Sequence, residues 1–206
     1  MDLNRWLSEQ GDLVWREPPR PVTLAAIIEP SLWPDTIDWS RTRARAMGAG
    51  HIYVNLRGRD PQGVVEPGAA YDALVARLTE RLLALTDPLS GRRVVARVRA
   101  GGEVFSGSHA DRGPDLVVTF SPGYRISWDS MLGGLADHVI AANRERWSAE
   151  HASVDEAIVP GTWLSTLPLA GETLSVLDLA PTLLDYFALP PPPGSDGVSR
   201  LETARP

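Results

Sequence analysis

Apolar positions recur along this chain at two periods. At the helical period, Tyr71, Leu74, Val75, Leu78, Leu82 and Leu85 fall at offsets 0, 3, 4, 7, 11 and 14. They form one continuous stripe. Pro67 and Gly68 open this predicted helix, and the turn DPLSG (87–91) stops it. At period two, HIYVNL (51–56) places Ile52, Val54 and Leu56 on one side. His51, Tyr53 and Asn55 take the other. RVVARV (93–98), EVF (103–105), GYRISW (123–128) and GTWLST (161–166) also read as strands. DLVVTF (115–120) is apolar nearly throughout, as suits a strand covered on both faces. PVTLAAII (21–28) is apolar enough for a buried strand or a short buried helix, and periodicity does not choose between them. Residues 132 to 146 read as a helix, with Leu132, Leu135, Val139 and Ile140 in phase.

The last helix starts near Asp178. With Asp178 as N-cap, Pro181 falls in the first turn, where its missing N–H costs nothing. With Ser175 as the cap, Pro181 would lie deeper, at about 3 kcal/mol. Leu179, Leu183, Leu184 and Phe187 make its apolar face. The tail LPPPPGSDGVSRLETARP reads as a polyproline-like stop followed by a flexible end. Strands alternate with helices and no internal repeat is present. The fold class is therefore α/β, a sheet with helices packed on it.

Composition narrows the functions. The 206 residues suffice for one good core. At 43% apolar and 22% charged the chain has an ordinary globular composition. No apolar run approaches the roughly 18 residues of a membrane span. Cysteine is absent, which excludes thiolate nucleophiles and Cys-based zinc sites. The net charge of −6 argues against a nucleic-acid partner. All 20 basic residues are arginine, so Schiff-base and P-loop lysine chemistry is excluded. The acidic start MDLNRWLSEQGDLVWREPP lacks the apolar core of a signal peptide and points to the cytoplasm.

The chain has four histidines: His51, His109, His138 and His151. No H-E-x-x-H, G-x-S-x-G or P-loop motif accompanies them. Three groupings pair a histidine with a nearby acid: His151 with Asp155, His109 with Asp111, and His138 with Asp137. His151 lies in WSAEHASVDEAIVPG, between a predicted helix and a predicted strand, where α/β sites are commonly built. Glu150 and Asp155 are near enough to support a metal-bound imidazole. Spacing alone favours a surface histidine in a polar loop at His151. His109 and Asp111 read as a solvated turn, His138 as a half-exposed helix residue, and His51 as structural. Arg57 and Arg59 flank Gly58 beyond a strand end. They fit either an anion site or ion pairs with Glu66 and Asp60. Trp33, Trp39, Trp128, Trp147 and Trp163 are spread along the chain and read as packing residues.

The segment IDWSRTRARAMGAGHIYVNLRGRDPQGVVEPG (37–68) resembles a block of the type I phosphodiesterase / nucleotide pyrophosphatase family, within the alkaline phosphatase superfamily. Further blocks are similar in the same order: DPLSG (87–91), PDLVVTFSPGYRISW (114–128), WSAEHASVDEAIVPG (147–161) and LDLAPTLLDYFALPPPPGSDG (177–197). The resemblance implies a partial alkaline-phosphatase-like fold, a mixed sheet with helices packed on it. It implies metal-dependent hydrolysis of phosphodiesters or nucleotide pyrophosphates at two zinc ions. His151 falls on one of the family's zinc ligands. Ala149 and Glu150 stand where the family has glycine and aspartate, and Arg45 stands where it has tyrosine.

Nothing in residues 1–34 resembles the family's nucleophile or its other metal ligands. The expected organisation is a poorly matched segment over 1–34, an alkaline-phosphatase-like carboxy-terminal portion over 35–190, and a Pro-rich flexible tail over 191–206. The chain is then expected to supply one zinc ligand, His151, and no catalytic residue. It would meet a phosphoester or nucleotide substrate only when completed by the missing half. The alternative is a catalytically dead remnant or interaction module, self-associating through exposed sheet edges. A third reading is an α/β domain binding a small ligand through Arg57 and Arg59.

Overall fold

The structure, a computed structural model, describes residues 1–17, 36–144 and 153–202. These fall into two compact units, Met1–Val159 and Pro160–Pro206. In the first unit, the predicted stripe forms helix α2 (Ala69–Leu83), with Leu74, Leu78 and Leu82 buried. The helix starts at Gly68, whose φ of 82° favours glycine. It packs on strand β3 (Val95–Ala100).

The sheet contains β1 (Ala44–Met47), β2 (His51–Val54), β3 and β4 (Leu116–Phe120), in the order β1-β2-β4-β3. A mixed sheet is the expectation; among the described residues these four strands pair only antiparallel, and an isolated bridge from Val154 to Phe120 of β4 runs parallel. The local chemistry explains part of this. Gly48 and Gly50, both at positive φ, turn β1 back into β2 within three residues, and so tight a turn permits only antiparallel pairing. Strand β4 is buried along its whole length, as its composition predicts. Leu116, Val118 and Phe120 join the main core. Val117 and Thr119 take the opposite face and are buried too.

The amino-terminal segment reads as polar but contributes to the core. Asp2 caps α1 (Leu3–Glu9), accepting from the Arg5 N–H at 2.6 Å. Leu3, Trp6 and Leu7 are buried. Asn4 is buried as well, and it closes the open edge of β1. Its side chain accepts from the Ala46 N–H at 2.7 Å and donates to the Ala46 carbonyl at 3.0 Å. The Ala44 N–H is taken by the Asp12 carbonyl and the Gly48 N–H by the Met131 carbonyl. Edge pairing with another chain is thus blocked along β1. Asn4→Ala strips Ala46 of both partners in a dry site. We expect a loss of about 1–3 kcal/mol in urea unfolding, and Asn4→Asp is expected to lose at least as much, because its second oxygen would face the Ala46 and Gly134 carbonyls.

Four expected elements differ. EVF (103–105) is no strand: Gly101–Val104 form a helical turn, α3. Here the Gly101 N–H bonds the Asp115 carbonyl, and a Cβ at Gly101 would lie 1.9 Å from the Pro114 oxygen. Residues 123–127 run without ladder pairing. Ile126 is buried, but its N–H goes to Ser153 Oγ, and Ser127 serves as the cap of α4 (Trp128–Met131). The helix expected over 132–146 is absent through residue 144. Gly133, at φ 85°, and Gly134 end α4 instead. GTWLST (161–166) forms no strand, and Leu164 is exposed. The segment 21–28 lies outside the described residues.

The second unit is organised by Asp178. A 3-10 turn, Val176–Asp178, leads into α5 (Leu179–Tyr186), with Asp178 as N-cap and Pro181 in the first turn, as expected. Ser175 caps the 3-10 turn rather than the helix. The Asp178 carboxylate is buried and accepts from the Ser175 N–H, the Val198 N–H and Arg200 Nε. The two backbone N–H groups hold it below the usual carboxylate range. The expected flexible end is thus tied to the helix through residues 198–201. This docking reverses the expected helix face. Pro181 and Thr182 are buried, whereas Leu179, Leu183 and Phe187 are exposed. The tail docks by polar bonds, Arg200 N–H to Thr182 Oγ1 and Ser199 Oγ to Asp185, and leaves the apolar stripe outward.

Candidate functional site

The blocks singled out in the sequence interlock through buried acids. Asp115 opens β4 and is 5% exposed. Arg59 grips it bidentately, with Nη1 to Oδ1 at 2.9 Å and Nη2 to Oδ2 at 2.7 Å. Tyr71 Oη donates to Oδ1 at 2.8 Å and the Val54 N–H to Oδ2 at 2.6 Å. The carboxylate therefore ties β2, the 55–65 loop, α2 and β4 at one point. The Asp115 hydrogen bonds raise the Arg59 guanidinium above its ordinary value. Burial, then Asp115, pushes the Tyr71 phenol up to about 12.

This geometry decides the arginine question. Arg59 also donates to the Val54 carbonyl and to Asp60, and Arg57 pairs with Glu66. Both are ion-paired within the fold, as the second sequence reading has it. Asn55 differs from the alternation expected of it. Its side chain is buried and donates to the Trp39, Thr42 and Gln62 carbonyls, so it organises the loop and does not extend the strand.

His151 and Glu150 lie outside the described residues. Asp155, the acid grouped with His151, is 2% exposed and fully engaged. Thr119 Oγ1 donates to Oδ2 at 2.7 Å, and Arg97 Nη2 to Oδ1 at 3.2 Å. The Ala157 N–H adds a third bond at 3.0 Å. Ser153 and Val154 are tied alongside, the Ser153 carbonyl accepting from the Phe120 N–H and Val154 bridging to Phe120. Burial alone pushes the Asp155 carboxyl up. The Thr119 and Ala157 hydrogen bonds and the Arg97 charge outweigh it and leave the acid below its ordinary value. A depressed carboxyl contributes stability that is present above its unfolded pKa and lost as pH falls through the folded one. Stability is expected to decline as pH drops below about 4. Asp155→Asn is expected to flatten part of that decline, read from urea midpoints across the acid range.

The other histidine groupings do not assemble. His109 caps the 3-10 turn Ala110–Arg112 and is exposed beside exposed Asp111. His138 and Asp137 are exposed. His51 is half-buried with its ring edge-on to Phe105 at 6.4 Å, and burial lowers its pKa. Among the described residues no group of three or more His, Asp or Glu side chains converges to hold a metal ion. His151, the ligand that the family resemblance implies, lies outside that set. No described helix is long and apolar enough to cross a membrane.

Asp115 and Asn4 were not read as key residues. Asp115 leaves one sequence trace, an acid at the head of an otherwise apolar strand. Asn4 leaves none. The fold and its clamps define an α/β unit with an antiparallel sheet. Comparison with protein-family models, curated proteins and solved structures finds no match to this chain.

Proposed function

We propose that the chain is the carboxy-terminal portion of a metal-dependent hydrolase of the phosphodiesterase / nucleotide pyrophosphatase kind, with a partial alkaline-phosphatase-like fold, and that it is inactive by itself. The carrying observation is the ordered series of blocks at 37–68, 87–91, 114–128, 147–161 and 177–197. Their packing supports the reading. Asp115 of the third block is held by Arg59 of the first. Tyr124 of the third donates to Asp87 of the second at 2.8 Å. Thr119 of the third donates to Asp155 of the fourth.

In this reading His151 is the chain's contribution to the metal centre, and Asp155 anchors the chain just beyond it. Such a centre needs about three protein ligands per catalytic zinc, so residues other than these 206 must bring the rest. The full chain with added zinc is expected not to hydrolyse bis-nitrophenyl phosphate above the rate of zinc alone. Turnover by the purified chain would overturn the claim that it is incomplete.

An interaction-module reading has one observation in its favour. In the second unit Val176, Leu179, Leu183 and Phe187 are exposed at helical spacing. Sedimentation of the full chain showing association that Leu183→Glu abolishes supports that reading.

A further inference from the structure

The outer face of the β1–β2 hairpin carries a cation that makes no ion pair within 4 Å among the described residues. Ala44, Ala46, Ile52 and Val54 turn into the core, so the cross-strand pair Arg45 and Tyr53 lies on the other face. The Arg45 guanidinium stacks on two rings, 5.3 Å from the Trp39 centroid and 5.8 Å from that of Tyr53. It is half-buried, and burial lowers its pKa.

Most other half-buried guanidinium groups of this unit have a carboxylate. Arg77 holds Asp12, Arg59 holds Asp115, and Arg99 holds Glu156. Arg45 has no acceptor within hydrogen-bond distance among the described residues. The nearby acid, Asp60, acts on Arg45 through its charge without a hydrogen bond, and its Oδ2 takes the Leu56 N–H at 2.8 Å and Arg59 Nε at 3.3 Å. Arg125 also lacks a side-chain acceptor among the described residues, but it rests on a single ring, that of Trp128.

A ring face offers an N–H group no lone pair, so these contacts leave the Arg45 N–H groups without an acceptor among the described residues. The guanidinium fork matches the two oxygens of a carboxylate or phosphate. Cation–π contact offsets only part of the cost of desolvating the charge, and an oxyanion would offset the remainder. We infer that Arg45, held by Trp39 and Tyr53, anchors a binding site for a small oxyanion, a phosphate or carboxylate group, on this face. The inference does not rest on the hydrolase reading: it uses none of the metal-site residues.

The test is nitrogen-15 NMR of the full chain, titrated with inorganic phosphate and separately with acetate. Sodium chloride at matched ionic strength serves as the control. The Arg45 Nε–H, Trp39 indole and Tyr53 amide signals are followed. A saturable shift of all three with either anion, absent with chloride, is expected. Phosphate as the tighter anion identifies a phosphoryl ligand, and acetate a carboxylate ligand. Arg45→Lys keeps the charge but loses the fork, and is expected to weaken the Trp39 and Tyr53 responses about tenfold or more. No saturable shift in the wild-type chain overturns the site. So does an equal response in a folded Arg45→Lys chain.

Discussion

Asp115→Ala is expected to cost about 3 kcal/mol, because it takes the bidentate acceptor from half-buried Arg59 and empties a buried hydrogen-bonded position. The substitution does more than delete an ion pair. Asp115 accepts four hydrogen bonds, from Arg59 Nη1 and Nη2, Tyr71 Oη and the Val54 N–H. Each donor loses its acceptor in a partly or fully dry site. Asp115→Asn is expected to lose less, since an amide oxygen still accepts from Val54 or Tyr71. Tyr71→Phe removes one donor and leaves Asp115 three, for about 1 kcal/mol. Urea unfolding of the three variants gives the order Asp115→Ala, Asp115→Asn, Tyr71→Phe. Equal losses would mean that the clamp is not the connecting point described.

The second large effect is expected at Gly50. Its φ is 90°, and a Cβ there would lie 2.2 Å from the Val118 carbonyl oxygen. Gly50 also accepts the Val118 N–H at 2.8 Å, so the hairpin turn is locked to β4 at this contact. Gly50→Ala meets both a disfavoured backbone and a backbone clash. About 2–5 kcal/mol is expected from conformational strain and overpacking together. Gly58 has a similar φ of 88° but nothing within 4 Å of its Cβ position. Gly58→Ala carries the backbone cost alone, about 1–2 kcal/mol. The difference between the two, read from urea midpoints, isolates the close approach.

The elements legible in the sequence are those whose burial is set by one regular face. Helix α2 shows its stripe because a single side of it packs on β3. Strand β4 shows continuous apolarity because both faces are covered, on one side by the core and at Thr119 by Asp155. The terminal helix start at Asp178 was legible because proline tolerates so few helix positions. Its apolar face was not, since periodicity says which residues share a face but not what packs on it. Here Arg200, Ser199 and Val198 dock on the polar side. Strand β1 gave no signal because its inward residues, Ala44 and Ala46, are small. The segment 132–146 misled because four apolar residues in phase outweighed the glycine pair at 133–134.

The candidate site was legible only as a set of blocks. Ion pairs between blocks, such as Arg59 with Asp115 across 56 positions, have no local signature. Arg57 and Arg59 read as ion-paired with Glu66 and Asp60 ahead of an external anion, and the geometry adds Asp115 as the main partner of Arg59. Arg45 is the converse case. In the sequence it is a departure from a tyrosine, and in the structure it is a cation over two rings with no ion pair among the described residues.

The most direct test of the central claim is zinc calorimetry on the full chain, with His151→Ala beside it. The account predicts weak zinc binding that the substitution removes, and no tight second site. Two tightly bound zinc ions per chain would contradict the claim that the centre is incomplete. Zinc binding indifferent to His151 would contradict its assignment as this chain's ligand.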